Sequence, residues 1–356
     1  LIGREHPAHK GLVNAVLRKF DENTPEEFRA TKTYQNWKVP ERLSHDYALP
    51  LWLIEELQST LDEDGLLAWL RVTKENKGIH LRINSMETSV DELVARFQQA
   101  NMRCEPHPNV PSALVVHQGG SPEYWPGFSD GEFMVQDVAA QWIGQCAAPA
   151  PGDTVIDCCA APGGKTTHLA EKMQNDGKIY AVDIHPGRLS KIKENTERLC
   201  LDIVEPLVLD LSEPDAIKKS ALGALQGKAD LIVLDAPCSA LGTINKNPEI
   251  ALREAPDWQR LARLQRTLLE NMAPYLRING TLVYSVCTFT AAEGPETIEH
   301  FLKANPNFSV EEEVLDHMTQ EHAPKNVQSR VKYGLNLWTH ILGGDSFFLT
   351  RLKRNA

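Results

Sequence analysis

The sequence predicts an α/β fold: a mostly parallel sheet with helices on both faces, preceded by a smaller α/β module and a helical segment. Three observations predict it. Strand-like runs near 153–158, 178–183, 205–209, 230–235, 280–285 and 346–351 alternate with helix-like stretches, the pattern of a parallel sheet built from crossover units. Four aspartates, Asp157, Asp183, Asp210 and Asp235, fall at or near strand ends, where the ligands of such sheets sit. Between the first two strands a turn of small residues opens a helix.

Taken in order, residues 9–20 put Leu12, Val13, Val16, Leu17 and Phe20 on one helical stripe, which suits a core-facing helix. A further helix is expected to start at Thr24-Pro25-Glu26-Glu27, with Thr24 as cap, Pro25 at the first position and acids in the first turn. Helical periodicity runs over 50–61 and 66–73. Residues 80–84 read as extended, 89–100 as a capped amphipathic helix and 113–117 as a strand, before the Pro- and Gly-rich stretch 119–127. Together they make the small α/β module. After Phe133-Met-Val-Gln-Asp137, where Gln136 and Asp137 suit a helix cap and a direct catalytic contact equally, the strands of the larger sheet begin.

The stretch 155–167, V-I-D-C-C-A-A-P-G-G-K-T-T, reads as strand, tight turn and helix. Such a turn aims backbone N–H groups and the positive end of a helix at whatever lies above the strand, so it is a ligand cradle. It is not a phosphate loop, because the glycine required six residues before Lys165 is Cys159. A G-x-G-x-x-G dinucleotide fingerprint is also absent. The strand over 178–183 nevertheless ends in Asp183, about twenty residues on, as a binder of a ribose diol requires. A nucleoside carrying something other than a diphosphate is the expected ligand.

Composition sets wider bounds. With 356 residues, 42% hydrophobic and 24% charged, the chain is long enough for two or three soluble domains. Neither a membrane-length apolar run nor a leader peptide is visible, and seven cysteines without C-x-x-C spacing argue against zinc and disulfides. A reducing cytoplasm, no metal, no membrane contact and a monomer are expected. The chain opens on Leu1, as a piece of a longer or processed protein would. A net charge of −11 means that any nucleic-acid contact has to come from local basic groups, such as Arg18-Lys19 or the series Arg253, Arg260, Arg263 and Arg266. Taken alone, such runs read as solvated helix faces before they read as RNA grooves.

Four ordered motifs carry a resemblance: D-C-C-A-A-P-G-G-K-T-T at 157–167, A-V-D-I at 181–184, L-D-A-P-C-S at 234–239 and V-Y-S-V-C-T at 283–288. They resemble the S-adenosylmethionine-dependent RNA 5-methylcytosine methyltransferases of the NOL/NOP/Sun family, and within it the bacterial ribosomal RNA enzymes. The resemblance implies a Rossmann-like methyltransferase domain over 129–356. It also implies an RRM-like accessory RNA-binding domain over 41–128, where L-R-I-N-S-M-E-T-S resembles the family's segment with Glu87 in place of its Lys. Residues 1–40 would then be the end of a NusB-like RNA-binding domain.

The same resemblance implies the site. Cys159, Ala160, Ala161, Pro162, Gly163, Gly164 and Lys165 would hold the amino-acid part of S-adenosylmethionine, Asp183 the ribose hydroxyls and Asp210 the adenine, with Asp235 also among the cofactor-binding residues. Each aspartate alone could be a helix cap, most of all Asp210 before Ser212-Glu213-Pro214, but together and in order they favour the cofactor. Cytosine carbon 5 becomes nucleophilic once a thiolate adds at carbon 6, so a cysteine is required. Cys238 and Cys287 stand at strand ends, whereas Cys104, Cys146, Cys158 and Cys200 read as inert small hydrophobes. In the RNA family the later cysteine attacks, matching Cys287; the Pro-Cys cysteine, matching Cys238, assists product release; and Asp235 holds the base. Val286 stands for the family's Thr, and Ser346 for the Gly of its closing strand.

The expected function is therefore methylation of a cytosine at carbon 5 in RNA, with small-subunit (16S) ribosomal RNA as partner. An amino-group methyltransferase would carry [DN]-P-P-[YF] where this chain has Asp-Ala-Pro-Cys. The alternative from another class is a weakly active or inactive ribosome-assembly factor on the same fold.

Overall fold

The computed structural model describes residues 28–75, 78–117, 120–322 and 330–356; the helices expected over 9–20 and from 24–27 lie outside the described residues. The chain divides into two compact units, Leu1–Ser59 and Thr60–Ala356. In the first, α1 (Lys32–Gln35) and α2 (Val39–Tyr47) precede α3 (Leu51–Thr60), which runs to the unit's boundary. Thr31 caps α1 by accepting from the Tyr34 amide at 3.3 Å. The rings of Phe28 and His45 stack at 4.9 Å, and the Tyr34 hydroxyl and Arg29 donate to Asp46 at 2.8 and 2.9 Å.

The second unit opens with α4 (Glu63–Val72), capped by Asp62, which accepts from the Gly65 amide at 2.8 Å. β1 (Ile79–Ile83), α5 (Val90–Gln99), β2 (Cys104–Pro106), β3 (Ala113–Val116) and β4 (Phe133–Val135) form the small module, an antiparallel sheet ordered β2-β3-β1-β4. Ser89 and Glu92 close a capping box at the start of α5. Helical spacing then lays Leu93 and Phe97 on Leu81, Ile83, Leu114, Val116 and Phe133. β2 and β4 do not stand out in the sequence, because three residues are too few for alternation to register.

Beyond β4 come α6 (Val138–Ala147), β5 (Thr154–Cys158), α7 (Gly164–Lys172), β6 (Lys178–Asp183), α8 (Pro186–Arg198), β7 (Val204–Val208), α9 (Pro214–Lys219), β8 (Ala229–Asp235), α10 (Trp258–Met272) and β9 (Leu276–Val286). α11 (Pro295–Ala304), β10 (Phe308–Val310), α12 (Glu312–His322), β11 (Arg330–Val331), β12 (Gly334–Leu337), α13 (Thr339–Leu342) and β13 (Phe347–Arg354) follow. The strands form one sheet ordered β11-β12-β13-β9-β8-β5-β6-β7, with β10 on β13. β5 to β9 run parallel, as the alternation predicts, whereas β13 pairs antiparallel with β9 and with β12. The strand expected to be the sheet's last is thus last in the chain but interior in the sheet. Among the described residues no helix is long and apolar enough to cross a membrane.

Period-two alternation fills both faces. Val155, Val233 and Val283 pack with Val138, Trp142 and Leu169 of α6 and α7, while Ile156, Ile232 and Leu282 meet Leu268, Leu269, Ile298 and Phe301 of α10 and α11. β6 and β7 lie to one side of β5, and β8 and β9 to the other. The strand order therefore reverses between β5 and β8, which leaves a crevice at their carboxyl ends.

Candidate active site

One wall of that crevice is the turn between β5 and α7. Cys159 enters it at φ 59° and Gly163 caps α7 at φ 102°, both left-handed, and a β-carbon on Gly163 would come within 3.1 Å of Ile192 on α8. The Ala160 amide donates to the Val182 carbonyl at 2.8 Å and the Ala161 amide to Asp183 at 3.3 Å, so the turn leans on β6. Arg188 donates to the Ala161 carbonyl at 2.7 Å. Beneath the turn, Asp157 accepts from the Thr166 hydroxyl at 2.6 Å, and its Oδ1 is buried with no partner among the described residues. Burial pushes this carboxyl up to about 7, against the pull of the Thr166 hydrogen bond and the Lys165 charge.

The candidate residues distribute along the strand ends. Asp183 ends β6, buried, and its Oδ1 accepts from the His185 amide at 2.9 Å. Asp210, just past β7, accepts from the Ser212 amide and hydroxyl at 2.8 and 2.7 Å, a local turn and not the helix cap open to it from sequence, since Glu213 stands at the N-cap of α9. Asp235 ends β8 and accepts from Ser285 of β9 at 2.8 Å and from Lys165 at 2.6 Å. Lys165, expected beside the cofactor's amino-acid part, is thus committed across the crevice. Burial opposes its charge, but Asp235 outweighs this and raises its pKa, with Asp157 and Cys287 adding to the effect.

Cys238, in the turn after β8, and Cys287, just past β9, bring their sulfurs to 3.2 Å. The Cys287 hydrogen bond, then burial, then the charges of Cys287 and Glu293 hold the Cys238 thiol well above its ordinary value. Elsewhere burial pushes Cys146 up to about 12 and Cys158 well above its ordinary value, which suits the inert role expected of them, whereas Cys200 is exposed and not the buried hydrophobe expected. Cys159, in the turn, is raised by burial as well. Among the described residues no group of three or more His, Cys, Asp or Glu is arranged to hold a metal ion.

Sequence reasoning missed the polar residues that hold this arrangement. Glu293, fully buried, accepts from the Ser239 amide and hydroxyl at 2.9 and 2.6 Å and from Gln265 of α10 at 3.1 Å. It clamps the Cys238 turn to the loop that follows Cys287. Asp137 does cap α6 as expected, accepting from the Ala139 amide at 2.9 Å, and Lys246 joins it to Asp345. Burial works against the charge on Asp137, but the His80 hydrogen bond and Lys246 hold its carboxyl below the usual range. Gln136, by contrast, belongs to a buried contact with Arg82 of β1. A mid-strand Arg between apolar neighbours was the available signal.

Comparison with known proteins shows the family of the chain. Residues 145–353 match the family model for the 16S rRNA methyltransferase RsmB/F, and residues 49–122 match the ferredoxin-like domain of RsmF/B-like methyltransferases. A probable ribosomal RNA small subunit methyltransferase B from Synechocystis is 34% identical over 353 residues, covering 97% of this chain and 75% of the relative. Ribosomal RNA small subunit methyltransferase B of Escherichia coli K12 is 35% identical over 309 residues, covering 85% of this chain and 66% of its own. The crystal structure of a methyltransferase homologue from Pyrococcus horikoshii superposes with a TM-score of 0.72 at 22% identity, over 89% of this chain and 99% of that one, a likeness of fold. Family model, relatives and fold converge: the chain belongs to the 16S rRNA methyltransferase RsmB/F family.

Proposed function

We propose that this methyltransferase transfers a methyl group from S-adenosylmethionine to carbon 5 of a cytosine in small-subunit (16S) ribosomal RNA, through a covalent cysteine adduct. The observation that carries the reading is the pair of sulfurs, Cys238 and Cys287, 3.2 Å apart at the ends of β8 and β9 and next to the Lys165–Asp235 pair. An amino-group methyltransferase has no use for two adjacent thiols.

The turn fits the cofactor. The orphaned Oδ1 of Asp157 suits an ammonium, Asp183 suits a ribose diol, and the close approach of Gly163 to α8 keeps the turn low enough for a ligand to lie on its backbone. When bound, S-adenosylmethionine supplies an electrophilic methyl group. The chain's own residues do the rest. The Cys287 hydrogen bond, burial and the Glu293 charge disfavour negative charge on the Cys238 sulfur. Cys287 is accordingly the nucleophile: its sulfur bonds to carbon 6, and the electron pair of the 5,6 double bond moves to carbon 5. Asp235, held by Ser285, meets the base edge of the cytosine. After methylation a base removes the carbon 5 proton, the double bond re-forms and the carbon–sulfur bond breaks, with Cys238 assisting release.

In this reading 41–128 serves RNA binding and 129–356 catalysis, in a cytoplasmic monomer, and 1–40 is a helical segment resembling the end of a NusB-like domain. The test is mass spectrometry of nucleosides from 16S ribosomal RNA incubated with the chain and labelled cofactor. Labelled 5-methylcytidine is the expected product; label on an exocyclic amino group, or none, overturns the reading.

A further inference from the structure

A side chain from the small module fixes the orientation of one amide at the edge of the turn. Arg82 on β1 is 1% exposed, and its guanidinium donates to Gln136 Oε1 at 2.5 Å, the Gly164 carbonyl at 2.7 Å and Thr167 Oγ1 at 3.0 Å. It also grips both oxygens of Glu171, at 2.9 and 2.6 Å, so its charge is neutralised in place. A guanidinium has only donors, so the Gln136 atom facing it must be the amide oxygen. That leaves Nε2 as the free end. Gln136 is 6% exposed, and Nε2 has no hydrogen-bond partner among the described residues. It lies 3.7 Å from where a β-carbon on Gly164 would stand, at the first turn of α7. A buried donor left without an acceptor is costly, and fixing it at a helix N-terminus suits an anionic group.

We propose that Gln136 is a cofactor-binding residue, its Nε2 donating to the carboxylate of S-adenosylmethionine, and that Arg82 is the positioning residue that turns the amide toward it. The assignment rests on the functional reading above. The amino-acid end of that cofactor offers one acceptor, the carboxylate, and one donor, the ammonium; an N–H donor selects the first. Asp157, with its orphaned oxygen, is left for the second. On this view the small module helps to build the cofactor site, beyond any contact it makes with RNA.

The test is calorimetry on the full chain with two ligands, S-adenosylmethionine and its decarboxylated form, which keeps the nucleoside and sulfonium but lacks the carboxylate. Gln136→Met is expected to weaken S-adenosylmethionine about tenfold and the decarboxylated ligand by less than about twofold. Arg82→Met alone strands Glu171 as an unpaired buried charge and endangers folding; Arg82→Met with Glu171→Met removes both charges and is expected to reproduce the selective loss. Should the double variant fail to fold, Gln136→Met decides alone. Equal losses for both ligands, or unchanged affinity for S-adenosylmethionine, overturn the assignment. A wild-type chain that binds neither ligand would sink the functional reading itself, and this assignment with it.

Discussion

The Lys165 ammonium and the Asp235 carboxylate meet at 2.6 Å, joining the first turn of α7 to the end of β8 across the crevice. Both groups are partly buried, so the pair fixes charge beside Cys287 instead of floating on the surface. It also gives Lys165 a role on the base side of the site. Lys165→Met is expected to lower the methyl-transfer rate by about 10²-fold, the scale of losing one prepositioned charge, with cofactor affinity little changed. Single-turnover kinetics beside calorimetry separates the two. The reverse outcome, lost affinity with an intact rate, would return Lys165 to the cofactor's amino-acid end.

Asp183 has backbone donors on both carboxylate oxygens, Ala161 and His185, which hold it rigid at the end of β6. Its remaining lone pairs suit a diol. Asp183→Ala should weaken S-adenosylmethionine by about 1–3 kcal/mol, the scale of leaving a buried polar group of the ligand unpaired. Unchanged affinity by calorimetry removes Asp183 from the site.

Asp157 links the cradle to pH. Burial raises its carboxyl to about 7 in the folded chain, above its ordinary 3.8. The folded state therefore keeps a proton that the unfolded state has lost over the window between those values, and stability falls as pH rises through it. Asp157→Asn should flatten this fall, as measured by chemical denaturation at pH 4, 5.5 and 7. If the cofactor's ammonium pairs with Asp157, binding near pH 7 also releases a proton, so the calorimetric enthalpy depends on the buffer's ionisation heat. An identical slope in the variant would show that Asp157 is not the group responsible.

Much of this was legible in the sequence, for a physical reason. Apolar runs such as 153–158 and 230–235 carry an aspartate at or next to their last residue, and strand ends in a parallel sheet are where ligands sit, so Asp157, Asp183 and Asp235 announce themselves locally. What was not legible depends on contacts between distant residues. Arg82 meets Glu171 across 89 positions, Lys165 meets Asp235 across 70, and Ser239 meets Glu293 across 54. No local period carries such pairs. The three-residue strands β2 and β4 failed for the opposite reason, since they are too short to show a period at all.

RNA affinity should depend on few phosphates. The net charge is −11, yet α10 exposes Arg260 and Arg263, and its Gln265 donates to the Pro237 carbonyl at 3.0 Å, next to Cys238. That helix therefore meets the Cys238 turn through Gln265, while Arg260 and Arg263 are exposed on its other face. A shallow slope of log affinity against log salt is expected, together with weaker binding in Arg260→Glu/Arg263→Glu. A steep slope in filter binding would show a broader basic surface than this, and unchanged binding in the double variant would put the RNA elsewhere.

The two cysteines should fail differently, because they act at different times. Cys287→Ala has no sulfur to bond carbon 6, so neither methylated product nor a covalent protein–RNA complex is expected. Cys238→Ala still attacks and transfers methyl, then stalls, and should accumulate an adduct that survives denaturing electrophoresis. Glu293 sharpens the contrast, since it holds the Ser239 amide at 2.9 Å and so keeps the Cys238 turn in register with the loop after Cys287. Were the pair merely buried and structural, each alanine would cost modest stability and slow turnover alike, with no adduct in either. An adduct in Cys287→Ala and none in Cys238→Ala would exchange the roles, making the sulfur beside Glu293 the nucleophile despite the negative charge that faces it.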